Sequence, residues 1–175
     1  MARNVRVLGA KSAGFTLVEL VVTLVIIGAL AAVSAPLFFS AQDFQQSGFY
    51  NETLASVRYA QKLAVASGCP VQVGIAGNTL TLSQVPAGSV ATCTSPPYNT
   101  TVSDPSNAGN PYVRNAPSGI TLSSSAPTFL FCPLGNTQSA ADPAPHCTGN
   151  YVNVGVTVTV GGQSFTVVGA TGHVR

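Results

Sequence analysis

Residues 14–36 read GFTLVELVVTLVIIGALAAVSAP, a predominantly apolar stretch with one charged residue, Glu19. It contains most of an uncharged run of 23 residues, Leu20–Gln42. As an α-helix this run would extend about 34 Å, which is enough to cross roughly 30 Å of hydrocarbon. The sequence therefore predicts a transmembrane helix over residues 15–42.

The segment before this run, residues 1–14, is basic. It contains Arg3, Arg6 and Lys11 and no acid. Positive charge ahead of a membrane span keeps the N-terminus in the cytoplasm, so we expect the C-terminal part to lie outside it. All four cysteines follow residue 68, and an even number of cysteines there is typical of an oxidising compartment.

Three interpretations of the N-terminal segment compete. A secretory signal peptide would be cleaved best after Ala35, which leaves Pro36 as an unfavourable first mature residue. A plain signal anchor is the second interpretation. Neither accounts for Glu19, a carboxylate at the head of the apolar run that would weaken membrane insertion.

The third interpretation accounts for it, because residues 14–20 (GFTLVEL) resemble the processing motif of type IV prepilins and type II secretion pseudopilins. The resemblance implies that a prepilin peptidase cuts after Gly14 and methylates Phe15. Glu19 then becomes the fifth mature residue, on which assembly depends, and Pro36 falls at a helix-kinking position. The implied location is the bacterial inner membrane, with the C-terminal part periplasmic, and then a pilus or pseudopilus. The implied partners are the peptidase, other pilins or pseudopilins, membrane lipid and an assembly platform.

Composition limits the function of the rest of the chain. Only 7% of the residues are charged and 46% are hydrophobic, which excludes a disordered charged tail. Beyond the leader, four basic residues face five acids, for a net charge of 4 − 5 = −1. A generally basic, nucleic-acid-binding surface is therefore not expected.

A second helix is predicted over residues 43–67. At about 100° per residue, one face carries Tyr50, Leu54, Val57, Ala60 and Ala64. Gly68 and Pro70 supply the stop signal. We expect this amphipathic helix to pack on a sheet.

Residues 68–175 show the period-two alternation of β-strands. A hairpin is predicted with strands at 71–75 and 79–82 around Gly77-Asn78. A second is predicted from the strand 152–160, the turn Gly161-Gly162, and a return strand through Phe165 and Val167. Shorter strands are predicted at 120–122 and 128–131. Residues 86–145 hold ten of the twelve prolines and have loop composition. The predicted fold is α+β, with a long N-terminal helix packed on an antiparallel sheet.

The cysteines favour disulfides over a metal site, because none forms a C-x-x-C pair. Four cysteines allow three pairings. We favour Cys69–Cys93 with Cys132–Cys147, since each bond would fasten a loop to an adjacent strand.

Three further segments resemble minor pilins of the GspH/FimT type: residues 57–67, 129–135 and 169–175. Together with Ser67-Gly68-Cys69 they are similar to minor pilins of the mannose-sensitive haemagglutinin pilus. This resemblance implies a pilin-like fold. Some FimT-like proteins bind DNA through a C-terminal glycine–arginine–x–arginine motif, and Gly172-His173-Val174-Arg175 matches it with histidine in place of the first arginine. Arg175 is thus a candidate for weak DNA contact, and DNA is not an expected partner.

Catalytic chemistry is not indicated by the sequence. His146 and His173 lack a neighbouring nucleophile and orienting acid, and Gly161-Gly162 is better explained as a turn than as a phosphate loop. Asp104 and Asp142 are candidate calcium ligands, as in some pseudopilins, but no ligand-dense loop surrounds them. We expect no enzyme, no metal and no cofactor.

The sequence thus predicts a structural subunit, a minor pilin or pseudopilin that is processed after Gly14 and assembled through its N-terminal helix. Two alternatives remain open. One is a filament-associated binding module for DNA, a surface or secreted cargo. The other is an unrelated exported β-protein.

Overall fold

The chain divides into two compact units, Met1–Gln42 and Asp43–Arg175. The computed structural model describes residues 14–38, 41–85, 93, 97–142, 145–148 and 153–175.

The first unit contains helix α1, Leu17–Phe38. Thr16 is its N-cap, since its Oγ1 accepts a hydrogen bond from the Glu19 backbone N–H at 3.3 Å. Pro36 lies inside α1, two residues before its end, and the kink expected there stays a prediction. Among the helices of the described residues, none is both long enough and apolar enough to span a membrane.

Helix α2 runs from Ala41 to Ser67 and includes the predicted amphipathic segment. Val57, Ala60 and Ala64 are fully buried, as expected, whereas Tyr50 and Leu54 are only half-buried. The buried stripe instead includes Phe49 and two polar residues, Thr53 and Ser56. Hydrophobic periodicity is read from apolar residues alone, so it does not reveal these two. In the helix, however, their hydroxyls donate to the backbone carbonyls of Phe49 and Glu52 at 2.8 and 2.7 Å, which removes most of the cost of burying them.

The larger sheet is built on the first predicted hairpin. Strands β1 and β2 flank Gly77 and Asn78, whose φ angles of 57° and 63° suit a two-residue hairpin turn. The sheet order is β3-β2-β1-β6-β7, and β4 also pairs with β2. Its strands are β1 Val71–Ala76, β2 Thr79–Gln84, β3 Thr100–Thr101, β4 Val113–Asn115, β6 Thr128–Phe131 and β7 Thr137–Ser139.

The smaller sheet has the order β5-β8-β9. Its strands are β5 Leu122–Ser124, β8 Val156–Val160 and β9 Gln163–Val167. The chain end extends it, because Thr166 and Arg175 exchange backbone hydrogen bonds at 2.8 and 3.0 Å.

The predicted strand 152–160 is wrong in its first half, part of which lies outside the described residues. The Val154 N–H donates to the Thr137 carbonyl, and Asn153 bridges to Gln138, so this segment bonds to the larger sheet. The chain passes to the smaller sheet at Gly155, and β8 begins at Val156. One alternating run therefore serves two sheets.

Residues 86–145 were predicted to be loops, apart from strands at 120–122 and 128–131. This prediction is also wrong in part, because strands β3, β4 and β7 lie within residues 86–145. Strands β3 and β4 follow one another along β2, pairing Thr101 with Ser83 and Val113 with Thr81. Each of these strands is only two or three residues long and is extended because it pairs with a distant strand. Such a short segment shows no alternation of apolar and polar residues, so the sequence does not predict it.

The core of the second unit forms one cluster between α2 and the two sheets. Phe129 and Phe131 of β6 are fully buried and meet edge to face, with ring centroids 5.6 Å apart. Val156, Val158 and Val160 line the inner face of β8.

A close backbone approach holds the chain end against the turn after β6. Gln61 Nε2 on α2 donates to the carbonyls of Gly135 and Thr171 at 3.3 and 2.9 Å. Gly172 has a φ of +61°, and a Cβ built on it would overlap the Gly135 carbonyl oxygen. Only glycine fits at position 172 without displacing that turn.

An ion-pair cluster joins α2 to β4 and to the loop between β3 and β4. Arg114 Nη1 lies 2.7 Å from Asp104 Oδ2. Arg114 Nε lies 2.7 Å from Glu52 Oε1, but this second contact does not have the geometry of a hydrogen bond. The guanidinium also stands 4.3 Å from the centroid of the Tyr112 ring, which stacks on Tyr59. These contacts bring the segment 104–114 onto the surface of α2.

The electrostatics of the cluster favour an ionised Asp104. Hydrogen bonds from Arg114 and then from Ser106 hold the pKa of Asp104 well below its usual range. The bond with Asp104 in turn raises the pKa of Arg114 above its ordinary value. The pair therefore stabilises the folded chain only while Asp104 is charged.

We predict that Gly172→Ala destabilises the chain by at least about 1 kcal/mol, because alanine is strained at positive φ and its Cβ meets the Gly135 carbonyl. The urea midpoint of the full chain in detergent measures the effect. Gly162→Ala is the matched control, since that position is open and its φ lies outside the left-handed region. Equal midpoints for the two variants would contradict the proposed constraint.

We predict that Asp104→Asn lowers the urea midpoint at pH 7. Because the folded pKa lies below the unfolded value of about 3.9, the contribution of the carboxylate is complete above about pH 4. This contribution is lost as the pH falls through the folded pKa of Asp104. The difference in urea midpoint between wild type and variant should therefore disappear in strong acid. Asp142→Asn, which removes a carboxylate away from Arg114, is the control. A gap that stayed constant from pH 7 to about pH 2 would show that the ion pair is not its cause.

Candidate functional site

The first site is the segment around Gly14 and Phe15. Both residues precede α1 and are exposed, Phe15 at 75%, and no atom lies within 4 Å of a Cβ built on Gly14. The Gly14–Phe15 peptide is thus non-helical and accessible, as cleavage of a peptide bond requires.

The second site is the Glu19 carboxylate in the first turn of α1. Its backbone N–H bonds to Thr16, which leaves the carboxylate free of the cap and near the positive end of the helix dipole. No Lys or Arg occurs between Lys11 and Arg58 in the sequence. If the chain were cut after Gly14, the new α-amino group of Phe15 would be the cation nearest in sequence, one helical turn before Glu19.

Thr16 is a residue that sequence reasoning passes over. The signal for it is the T-x-x-E spacing of Thr16 and Glu19, which is typical of a helix N-terminus. The cap starts α1 two residues after Phe15, so the carboxylate is presented from an ordered turn.

Over residues 17–31, whose side chains the structure describes, the surface of α1 is apolar apart from Glu19 and Thr23. Consecutive large side chains are exposed along it, so no single face is set aside for a core. An exposed apolar surface of this extent marks a site of contact with protein or membrane. The exposed side chains are Leu17, Val18, Leu20, Val21, Val22, Leu24, Val25, Ile26, Ile27 and Leu30.

The structure pairs the cysteines as the sequence analysis favoured. Cys69, just past the end of α2, is bonded to Cys93, and Cys132, at the end of β6, is bonded to Cys147. The Cα–Cα distances are 5.5 and 5.4 Å. Each bond ties a loop to the end of a helix or strand, which restricts the unfolded chain.

The two candidate calcium ligands, Asp104 and Asp142, have other partners. Asp104 Oδ2 forms an ion pair with Arg114, and Asp104 Oδ1 accepts a hydrogen bond from the Ser106 backbone N–H. Asp142 accepts from His146 Nε2 through its backbone carbonyl. Within the described part of the chain, no group of three or more His, Cys, Asp or Glu side chains could hold a metal ion.

His146 has a structural environment. Its Nδ1 lies 3.0 Å from Tyr98 Oη and its Nε2 lies 3.0 Å from the Asp142 carbonyl oxygen. Burial raises the pKa of Tyr98 to about 12, so its hydroxyl stays protonated and can donate to the imidazole. The ring therefore connects the segment at Tyr98 to the loop that precedes Cys147.

Arg175 carries an exposed side chain on a backbone held by Thr166. Arg58 Nη2 donates to the Val174 carbonyl at 3.1 Å, so a second cation lies beside the chain end, which sequence reasoning did not anticipate. Arg114, by contrast, is engaged with Glu52 and Asp104.

Comparison with known proteins gives three kinds of similarity. The family model of the prokaryotic N-terminal methylation motif matches residues 9–35. Over 62 residues the chain is 39% identical to the type IV narrow pilus major component PilA5 of Thermus thermophilus, a match that covers 34% of this chain. The chain spans about half (53%) of the length of that curated relative.

Two solved structures are similar to the chain at low sequence identity. The type IV minor pilin FimU of Pseudomonas aeruginosa shares 12% identity and a TM-score of 0.45, over 74% of this chain and 90% of FimU. The minor pseudopilin EpsH from the type 2 secretion system of Vibrio cholerae shares 16% identity and a TM-score of 0.43, over 78% and 94%. Residues 9–35 thus match the prokaryotic N-terminal methylation motif, and over 62 residues the chain is similar to a type IV pilus component.

Proposed function

We propose that the protein is a structural subunit, a minor pilin or pseudopilin, of a type IV pilus or a type II secretion pseudopilus. The observation that carries the proposal is the match of residues 9–35 to the prokaryotic N-terminal methylation motif, with an exposed Gly14–Phe15 junction ahead of a largely apolar helix. A catalytic role is not part of the proposal.

Processing is the first step. A prepilin peptidase cuts after Gly14 and methylates the α-amino group of Phe15, which keeps its positive charge. The accessibility of Gly14 and the non-helical backbone of residues 14–16 support this step.

Membrane storage is the second step. The uncharged run Leu20–Gln42 anchors the subunit in the inner membrane, and the basic residues 1–14 keep the leader in the cytoplasm. The unit Asp43–Arg175 then lies in the periplasm. Its two disulfides support that location, because disulfides persist in oxidising compartments.

Assembly is the third step and depends on Glu19. Where apolar helices pack together away from water, an unpaired carboxylate and an unpaired ammonium are each costly. Pairing Glu19 with the N-methylated amino group of Phe15, on its own or a neighbouring subunit, neutralises both charges and sets the axial register. Other pilins or pseudopilins and an assembly platform are the partners in this step.

DNA is not proposed as a partner. The chain beyond the leader has a net charge of −1, and Arg114 is engaged in two ion pairs. Arg175 and Arg58 offer two cations at one end of the domain, and so few phosphate contacts give weak binding.

We predict that the mature protein isolated from cells with an active prepilin peptidase begins at Phe15 and carries one added methyl group. Mass spectrometry of the N-terminal peptide measures both features. In cells that lack the peptidase, the leader 1–14 should remain attached. A mature chain that began near Pro36 would instead indicate an ordinary signal peptide and contradict the proposal.

We predict that Glu19→Ala is processed and stored normally but is missing from sheared filaments. Removing one member of a buried ion pair costs about 3–5 kcal/mol, and the Thr16 cap survives because it uses the backbone of residue 19. Thr23→Ala is the matched control, since Thr23 lies one turn further along α1 and its hydroxyl bonds only within the helix. Glu19→Ala protein at wild-type levels in filaments would refute the role of the carboxylate.

A further inference from the structure

The solvent side of the smaller sheet carries a row of three polar side chains from three segments of the chain. Thr157 of β8 pairs with Thr166 of β9. Thr166 also exchanges backbone hydrogen bonds with Arg175, so the three residues lie side by side across the sheet. A buried valine adjoins each of them along the chain. Because successive side chains point to opposite faces of a strand, all three members of this transverse row face solvent.

A cavity of about 390 Å³ opens beside the transverse row. Its lining includes the row itself, Val168 and two glycines, Gly155 and Gly169. A Cβ built on Gly155 would lie 3.6 Å from its nearest neighbour, the Val167 carbonyl oxygen, which is an ordinary contact. The space beside Gly155 is therefore open and not closed by packing. Its volume lies within the range of roughly 300–1,000 Å³ that is typical of ligand pockets.

The polar groups of the row are largely unengaged. Both ion pairs found among the described residues belong to Arg114, so the Arg175 guanidinium has no acidic partner there. The Thr157 hydroxyl makes no hydrogen bond to a described residue, and the Thr166 hydroxyl has only a 3.5 Å contact with the Arg175 carbonyl oxygen. One cation and two hydroxyls thus lie at the cavity with capacity to bind a ligand.

These groups define the chemistry of the ligand. A guanidinium matches a carboxylate with two parallel hydrogen bonds. A threonine hydroxyl both donates and accepts, so it suits a hydroxyl group of a ligand. One cation next to two hydroxyls is therefore complementary to a ligand with one negative charge and several hydroxyl groups. A sugar acid combines these two features.

A nucleic acid fits the cavity less well than a sugar acid. Affinity for DNA grows with the number of phosphates that a protein neutralises, and the transverse row supplies one cation. Single strands stack their bases on aromatic side chains, and the described residues that line this cavity include none.

We propose that this cavity binds a hexuronate, either as a free sugar acid or as a residue of an acidic polysaccharide. Arg175 holds the carboxylate, and the hydroxyls of Thr157 and Thr166 bond to hydroxyl groups of the sugar. Val168 offers an apolar wall to the C–H groups of the ring. The inference goes beyond the proposed function, since it requires neither cleavage after Gly14 nor assembly.

Titration calorimetry of the full-length protein in detergent tests the charged contact, with galacturonate and polygalacturonate as probes. Arg175→Ala should weaken binding at least about tenfold, because it removes hydrogen bonds to a charged group. Lys62→Ala is the matched control, since it removes an exposed cation from α2 and should change the affinity less than about twofold. No binding of either probe by the wild type, or equal losses in both variants, would overturn the proposal.

A second pair of variants tests the hydroxyl contact. Thr157→Val keeps the branched shape of the side chain and removes its hydroxyl, so it should weaken binding about fivefold. Thr159→Val is the matched control, because Thr159 lies two residues further along β8 and outside the cavity lining. Equal affinities of these two variants would overturn the assignment of this cavity as the binding site.

Filling the cavity tests its role directly. Gly155 does not have a positive φ, so the backbone accepts a side chain there, and Gly155→Leu should reduce binding at least about tenfold by occupying the space. The urea midpoint reports whether this variant is folded, and Thr157→Val provides the test if it is not. A folded Gly155→Leu protein that bound like the wild type would contradict the proposal.

The two probes distinguish the sources of the ligand. Binding of galacturonate supports a free sugar acid, and binding of polygalacturonate alone supports a polysaccharide. Polygalacturonate with methyl-esterified carboxylates should not bind, because esterification removes the charge that Arg175 recognises. Equal binding of the esterified polymer would overturn the proposal. Binding of duplex DNA without binding of either probe would overturn it as well and would indicate a nucleic acid.

Discussion

The second unit depends on the burial of one stripe of α2 against two sheets. Val57, Ala60 and Ala64 are fully buried there, and small residues at two of these positions let the strands approach the helix closely. Polar side chains around the stripe then fix what surrounds it. Gln61 holds the turn of Gly135, Arg58 holds the chain end at Val174, and Ser56 accepts from the Tyr112 hydroxyl.

This arrangement explains how a chain with few charges keeps long, proline-rich segments in place. The segment 100–115 pairs with β2 by two short strands and is tied to α2 by Arg114. The disulfides fasten two further loops at Cys69 and Cys132. Val102 and Tyr112 of the segment 100–115 are also buried in the core, so burial and the contacts of Arg114 hold this segment together.

The two units serve different chemistry. The first offers an exposed Gly14–Phe15 junction, the Glu19 carboxylate and a largely apolar helix, and these are the features on which the proposed processing and assembly rest. The second keeps its large apolar residues inside, apart from Phe44, Val65 and Leu134 among those described.

Features that depend on neighbouring residues could be predicted from the sequence. The N-terminal motif, α2 up to Ser67 and the hairpin at Gly77-Asn78 follow from local period, cap and turn chemistry. The sequence favoured one of three disulfide pairings, and the fold settles it by bringing Cys69 to Cys93 and Cys132 to Cys147. Other features depend on distant partners and emerge only in the folded chain. Strands β3 and β4 form because they pair with β2. Arg114 contacts Glu52 and Asp104, which lie on two other segments of the chain. The alternating run around Gly155 pairs with the larger sheet before this residue and with the smaller sheet after it. Such pairings depend on which distant groups the fold brings together, and neither periodicity nor composition carries that information.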